Sequence, residues 1–300
     1  MSHLRNLVTC PVCVDIAFDP RSKSPVKQQN GMAACNGASN LASKSYDYFS
    51  LLQYRLAPAD VLKTAGPKLV PFFKTVCVYF VAWLPESDRP TIFAALLKIL
   101  PIACLCGFVT LQGVSLTKQH DYSRRILLGL IFSMIGDVCL VWKHSYFIHG
   151  MVAFAIAHLL YMRSFGFRPL KPLTGIICLL LMLPFYVFYF PNLKGLLFYA
   201  VPVYIVVIGI MVWRAITGLQ AQIYSDDGLW RWTKLCACLG ALSFAISDAA
   251  IGLNKFCFPI PHSRAIIMFT YYGGQLGIAL STFSLDDEYH LRMKQTLKSQ

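Results

Sequence analysis

The chain has 300 residues, of which 56% are hydrophobic and only 14% are charged, and its mean hydropathy is +0.55. Soluble domains carry closer to a quarter charged residues, so this composition excludes an ordinary soluble globular protein. The 27 basic residues outnumber the 14 acidic ones, but they are spread over tails and short loops, which argues against a nucleic-acid partner and for anionic membrane lipid.

Residues 1–65 form the first segment, a Ser-, Asn-, Lys- and Gly-containing stretch with few sustained apolar patterns. This composition predicts a largely disordered cytosolic tail. Eight apolar blocks follow within residues 66–285, at a length of about 18 residues that suits a helix crossing a bilayer. Residues 286–300 are predicted to be a solvated cytosolic tail. The eight blocks are 69–84, 92–113, 125–142, 146–162, 173–190, 196–213, 235–253 and 265–283.

Lys and Arg residues favour alternate loops between these blocks. The two tails and the loops after the second, fourth and sixth blocks hold 20 of them, whereas the other loops hold five. Because positive charge marks the cytosolic side, both termini are predicted in the cytosol, which an even number of spans allows. The predicted fold class is therefore all-α, a polytopic membrane bundle of eight transmembrane helices. Lys74, inside the first block, is expected to snorkel to the cytosolic surface.

Two acidic residues, Asp137 and Asp248, are the only ones inside the apolar blocks. A carboxylate there costs about 2.5–3.5 kcal/mol on insertion scales, so each is a functional candidate. Their segments align as Leu-Gly-x6-Gly-Asp and Leu-Gly-x6-Ser-Asp. The alignment suggests two four-helix repeats in parallel orientation, with chance similarity between apolar helices as the alternative.

Both aspartates are expected at one depth, about 7–8 Å inside the far boundary of the bilayer, because each precedes the end of its block by five residues. We expect a polar cavity in the far half of the bilayer, built from both. There are alternative roles for these residues. The two acids could be hydrogen-bonded links between helices, Tyr271 and Tyr272 could be aromatic residues at the membrane interface, and Lys98 could be a structural ion-pair partner. The other expected members are Tyr271, Tyr272, Gln275, Lys98 and His149, with Lys255 at the mouth.

His158 is not expected to join this cavity, because it lies half a turn round the helix from His149 and about 13 Å along it. The sequence holds no HxxxH or HExxH pattern, so neither a metal nor another cofactor is predicted. The eleven cysteines show no spacing that indicates a disulfide framework.

Two carboxylates brought together in a low dielectric cannot both ionise cheaply, so one keeps its proton while the other stays ionised. The protonated group is a general acid, and the ionised group stabilises a cation or orients water, as in glycoside hydrolysis. Vinyl ethers hydrolyse through a related cation after protonation of the alkene carbon. A site within the bilayer suits a substrate whose reactive bond lies just below the headgroup.

Five segments carry a resemblance to a known family: GPKLVPFFK (66–74), GDVCLVW (136–142), FIHGMVAFAIAHLLY (147–161), SDAAIGLNKFCFP (247–259) and SRAIIMFTYYGGQLGIALS (263–281). With them, residues 66–285 resemble the animal branch of the YhhN-like lysoplasmalogenases. The resemblance implies an eight-helix integral membrane enzyme, in animals typically of the endoplasmic reticulum. It implies cleavage of the sn-1 vinyl ether of a lysoplasmalogen by water, giving a fatty aldehyde and glycerophosphoethanolamine or glycerophosphocholine. The family's two key aspartates correspond to Asp137 and Asp248.

The expected partners are therefore the lysophospholipid substrate and membrane lipid. Tyr271, Tyr272 and Gln275 are predicted to position substrate or water, and Lys98 or Lys255 to meet the phosphate. Two other classes fit intramembrane acids and a possible repeat: a proton-coupled transporter or carrier, and a non-catalytic membrane scaffold.

Overall fold

The computed structural model describes residues 58–83, 90–112, 120–222 and 228–283, and all of its helices belong to one compact unit. Within these ranges the chain is all-helical, with no strand. Eight α-helices are found there: α1 (Pro58–Trp83), α2 (Ile92–Thr110), α3 (Asp121–Val141), α4 (Lys143–Phe165), α5 (Pro172–Tyr189), α6 (Leu197–Gln222), α7 (Gly228–Phe256) and α8 (Ser263–Leu280). A short 3-10 turn, Phe190–Asn192, follows α5.

Each predicted apolar block corresponds to one of these helices, in order, which confirms the all-α class. The first helix begins at Pro58, before the predicted boundary at residue 66. Four prolines predicted inside apolar blocks also lie inside helices in the structure, so none of them ends its helix: Pro71, Pro101, Pro184 and Pro202. The predictions for the two tails otherwise concern residues outside those that the structure describes.

Six of the eight helices are long and apolar enough to cross a membrane by length and composition alone: α1, α2, α4, α5, α6 and α7. Of the remaining two, α3 begins with Asp121, Arg124 and Arg125 and contains Asp137, and α8 contains several polar residues in only 18 positions. Polar residues that face other helices lower the mean hydropathy without exposing charge to lipid, and this applies to the buried Asp137, Tyr271 and Gln275.

Within each predicted half, α1–α4 and α5–α8, helices adjacent in sequence pack against each other, and three further contacts link the halves: α4 with α6, α8 with α2 and α8 with α3. The helix α4, fourth of the first half, packs on α6, second of the second half. The helix α8, fourth of the second half, packs on α2, second of the first half. Two of the three inter-half contacts, α4 with α6 and α8 with α2, therefore use equivalent helices of the two halves.

The backbones of α7 and α8 approach each other closely at glycines. A Cβ atom on Gly240 would lie 2.7 Å from the backbone nitrogen of Ile278 and 2.8 Å from the carbonyl oxygen of Gly274. Gly277 faces the same residue, since its Cβ would lie 2.8 Å from the Gly240 Cα. Small residues that let helix backbones touch are a common device of membrane bundles. This contact fixes the height of α8, and so of Tyr271, against α7.

Arg214 lies inside α6 and is fully buried, although its charge places it in a loop when the sequence is read alone. Its Nε donates to the carbonyl oxygen of Gly166 at 2.6 Å and its Nη1 to that of Pro169 at 3.0 Å. The guanidinium also lies over the Trp213 ring, 5.3 Å from its centroid. Arg214 therefore ties α6 to the segment that connects α4 to α5.

Candidate active site

Asp137 lies on α3 at the centre of a closed polar cluster, with 1% of the residue exposed. Its Oδ1 is 3.2 Å from the Nζ of Lys98 on α2. Its Oδ2 accepts a hydrogen bond of 2.5 Å from the hydroxyl of Tyr271 on α8. Both carboxylate oxygens are therefore engaged, one by an ammonium and one by a phenol.

Asp248 lies on α7 within a second cluster. Its Oδ2 accepts a hydrogen bond of 2.8 Å from the hydroxyl of Tyr204 on α6. The same oxygen lies 3.1 Å from the Nε2 of His158 on α4, whose ring is fully buried. The Tyr204 hydroxyl and the His158 Nε2 are 3.2 Å apart, so the three groups meet at one point.

The two clusters are built from equivalent helices of the two halves. Asp137, on the third helix of its half, meets Lys98 on the second helix of the same half and Tyr271 on the fourth helix of the other. Asp248 is met in the same way, by Tyr204 on the second helix of its own half and by His158 on the fourth helix of the other. The arrangement repeats, but the side chains differ.

Aromatic rings connect the clusters. The Phe244 ring centroid lies 4.6 Å from that of His158 and 5.3 Å from that of Tyr271. No hydrogen bond between Asp137 and Asp248 is found among the described residues. The sequence predicts one site in which both acids share a proton; the structure instead gives each acid its own partners.

An apolar cavity opens beside Asp248. Its volume is about 80 Å³, and Asp248 and Tyr204 are among the few polar side chains in its wall. Aromatic and aliphatic residues form the rest, and 9% of the Asp248 side chain is exposed. An apolar lining with one polar contact suits a segment of a hydrocarbon chain. The apolar lining includes Phe147, Met151, Met182, Phe185, Val201 and Ile208.

A second, polar pocket lies next to the first, and Leu140, Phe147 and Ile251 line both. It spans about 1800 Å³, including open solvent, at the end of the bundle where α3 and α7 finish and α4 and α8 begin. Several basic side chains surround it, which makes it suited to an anion. They are Lys98, Lys143, His144, Lys255, His262 and Arg264.

The remaining predicted site residues separate into two groups. Tyr272 and Gln275 are buried near the Asp137 cluster: the Tyr272 hydroxyl donates to the backbone oxygen of Lys98 at 2.8 Å, and Gln275 accepts from the Tyr161 hydroxyl at 2.9 Å. Lys255 lines the polar pocket, with its Nζ 4.1 Å from the centroid of the Phe147 ring. His149 is exposed and lines neither cavity, because it lies on the outer side of α4.

Sequence reasoning missed His158 and Tyr204. From the sequence, His158 was expected to lie apart from the cavity because it is far from His149. In the structure, His149 itself is outside the site, so the distance between the two histidines was not a valid reason to set His158 aside. The one signal available was that His158 is a polar residue deep inside an apolar block, and such residues are functional candidates by default. Tyr204 gives no comparable signal, because tyrosine is common in apolar helices.

Metal ligands are not grouped in the described part of the chain, where no set of three or more His, Cys, Asp or Glu side chains could hold an ion. The eight cysteines in these residues are free thiols.

In the described residues the chain is an all-helical bundle with six helices long and apolar enough to cross a membrane, which is the architecture of a multi-pass integral membrane protein. The chain matches the YhhN family over residues 93–282, and it belongs to that family.

Curated relatives are similar over most of their length. The chain is 50% identical over 227 residues to lysoplasmalogenase TMEM86A of Bos taurus and 48% identical over 227 residues to that of Homo sapiens; each match covers 75% of this chain and 92% of the relative. It is 37% identical over 216 residues to lysoplasmalogenase TMEM86B of Sus scrofa, covering 72% of this chain and 86% of the relative. No solved structure matches the chain.

Proposed function

We propose that this protein is a lysoplasmalogenase, a membrane hydrolase that cleaves the vinyl ether bond of a lysoplasmalogen to release a fatty aldehyde. The observation that carries the proposal is the carboxyl group of Asp248 in the wall of an apolar cavity. The relatives that are 50%, 48% and 37% identical to the chain are named lysoplasmalogenases. The substrate class is therefore a lysophospholipid with a single alkenyl chain.

The two neighbouring cavities match the two ends of such a molecule. The apolar cavity takes the alkenyl chain, and the basic pocket takes the phosphate, with Lys98 and Lys255 among the side chains that meet it. Leu140, Phe147 and Ile251, which line both, mark where the cavities adjoin. The vinyl ether lies at this junction, because it joins the hydrocarbon chain to the glycerol.

In the proposed mechanism one aspartate donates a proton and the other supplies a negative charge. One carboxyl group protonates the alkene carbon remote from the ether oxygen, and the resulting oxocarbenium ion takes up water. The hemiacetal that forms then separates into the aldehyde and the glycerol alcohol. The other carboxylate stays ionised and stabilises the cationic stage electrostatically. Tyr271, Tyr272 and Gln275 hold the ionised group and its surroundings in place.

All eight helices cross the bilayer in this proposal, with both termini in the cytosol and the cavities opening on the opposite side. The support is the excess of Lys and Arg in alternate loops and the burial of the polar residues that lower the hydropathy of α3 and α8. The membrane is that of the endoplasmic reticulum, as the family resemblance implies. Reporter tags at the two termini and in the α3–α4 connection would test the orientation.

Purified protein in detergent micelles provides the direct test. Micelles have no inside, so transport cannot be scored in them, whereas hydrolysis can. We expect one aldehyde to be released for each lysoplasmalogen consumed, and no release from the matching saturated alkyl ether. A protein that releases no aldehyde in micelles but takes up solute when placed in proteoliposomes would be a carrier instead.

A further inference from the structure

The two carboxyl groups are not equally available to a ligand. Asp137 lines neither cavity, and both of its oxygens are engaged by Lys98 and Tyr271. Asp248 lines the apolar cavity, and its two partners, His158 and Tyr204, both bind Oδ2. Among the described residues, Oδ1 of Asp248 has no hydrogen-bond partner. It is therefore the one carboxylate oxygen of the four that is left for a molecule in the cavity.

His158 is placed as a neutral donor to Asp248. Its Nε2 faces Oδ2 of Asp248, while its Nδ1 is buried and has no partner in the described part of the chain. A charged imidazolium would leave an N–H of a cation unpaired at Nδ1, which is more costly than leaving a neutral acceptor bare. The proton therefore sits on Nε2, where it is donated to Oδ2.

We propose that Asp248 is the proton donor of the reaction, acting through Oδ1, and that His158 and Tyr204 are positioning residues that hold its Oδ2 as a double acceptor. This assignment rests on the lysoplasmalogenase function proposed above. With Oδ2 accepting two hydrogen bonds, the carboxylic proton occupies Oδ1 and faces the cavity. Asp137 is paired with the ammonium group of Lys98, whereas Asp248 faces a neutral imidazole and a phenol, so Asp248 is the acid that carries the transferable proton.

The proton transfer balances within these groups. The O–H bond at Oδ1 breaks, and the π electrons of the vinyl ether form a C–H bond at the carbon remote from the ether oxygen. The substrate becomes an oxocarbenium ion and Asp248 a carboxylate, whose new charge is stabilised at Oδ2 by the His158 N–H and the Tyr204 O–H. Water then adds to the carbon beside the ether oxygen and returns a proton to Asp248. The hemiacetal separates into aldehyde and alcohol, and the carboxylic acid is restored.

Variants of the two positioning residues test this assignment in the full-length protein in micelles. His158→Phe removes the ring donor, and Tyr204→Phe removes the hydroxyl donor without changing the ring. Each is expected to lower kcat by about 100-fold, the usual effect of removing one donor from a developing charge, with KM changed less than about threefold. His158→Gln keeps an amide N–H within reach of Oδ2 and is expected to recover at least about a tenth of wild-type kcat.

A matched control is Tyr122→Phe, which removes a phenol that lies 2.7 Å from Ser281 Oγ, outside both cavities; its activity is expected to equal that of the wild type. A Tyr204→Phe variant with wild-type kcat would overturn the assignment. A His158→Gln variant as inactive as His158→Phe would also overturn it, since the imidazole itself would then be the acid. If His158→Phe does not fold, Tyr204→Phe and His158→Gln decide. A wild-type protein that releases no aldehyde would instead reject the proposed function.

Discussion

His158 on α4 and Asp248 on α7 are 90 residues apart in the chain, and their side chains meet with 3.1 Å between Nε2 and Oδ2. His158 is fully buried, whereas 9% of the Asp248 side chain is exposed and its carboxyl group borders an apolar cavity. Asp137 forms an ion pair with Lys98; the aspartate lines neither cavity, and the lysine lines the polar pocket. Equivalent positions in the two halves thus hold one carboxyl group that borders the apolar cavity and one whose two oxygens are both engaged by side chains.

Replacing either aspartate by asparagine is expected to reduce aldehyde release by about 100-fold or more, because general acid–base groups contribute at least this much. Asp248→Asn removes the transferable proton, and Asp137→Asn removes the fixed negative charge. The measurement is aldehyde formed per mole of purified protein. Asp121→Asn is the matched control, since Asp121 lies on α3 with Asp137 but pairs with Arg124 and Arg125, away from both cavities. Full activity in both Asp137→Asn and Asp248→Asn would reject the mechanism.

Lys98→Met is expected to destabilise the fold by about 3 kcal/mol, because breaking a buried ion pair leaves the partner charge without compensation. The Lys98 side chain is only 13% exposed. Adding Asp137→Asn to this variant removes the stranded charge, so the double variant is expected to unfold at a higher temperature than Lys98→Met alone. The measurement is the Tm in detergent by circular dichroism. Losses that simply add in the double variant would show that the two residues are not coupled.

Lys255→Gln is expected to raise KM about tenfold while kcat stays within about twofold, because a charged contact to phosphate contributes about 1.5 kcal/mol or more to binding. The residue lines the polar pocket and not the cavity beside Asp248. Lys194→Gln serves as its control, since Lys194 is an exposed lysine that lines neither space. An unchanged KM in Lys255→Gln would place the phosphate elsewhere.

Gly240→Ala is expected to lower stability by about 1–3 kcal/mol, the cost of overpacking a close contact. The added methyl group would meet the backbone of α8 rather than a movable side chain, so the two helices must separate. Gly107→Ala is the control, because nothing lies within 4 Å of a Cβ at that position. The comparison is the Tm of the two variants; equal values would contradict a rigid α7–α8 contact.

Most of the helical architecture was predictable from the sequence, because a membrane-crossing helix requires a continuous apolar block of residues. The glycine contact was only partly predictable. The sequence shows a GxxxG pair at Gly273 and Gly277, but the residues that touch Gly240 are Gly274 and Gly277, since Gly273 has only Ser243 Oγ near it, at 3.6 Å. Helix period indicates which residues share a face, and it does not indicate which neighbour that face meets.

The two acids of the candidate site were predicted from the sequence, but His158 and Tyr204, which contact Asp248, were missed. Asp137 and Asp248 are rare polar residues in apolar blocks, and burying a charge there is costly enough to mark them without any structure. His149 was expected with them and lies outside, while His158 was set aside and lies against Asp248. Depth along a helix can be counted from the sequence, but the direction of a side chain relative to other helices cannot.

What the sequence alone determined is therefore the membrane class, the order of the helices and the two costly carboxyl groups, since all three follow from how single segments partition between water and lipid. Only the tertiary structure decided that Asp137 pairs with Lys98 and that Asp248 meets His158 and Tyr204. These contacts depend on how helices distant in the chain pack together. Packing inside a bilayer is set by side-chain shape and hydrogen bonding between helices, which no single segment contains.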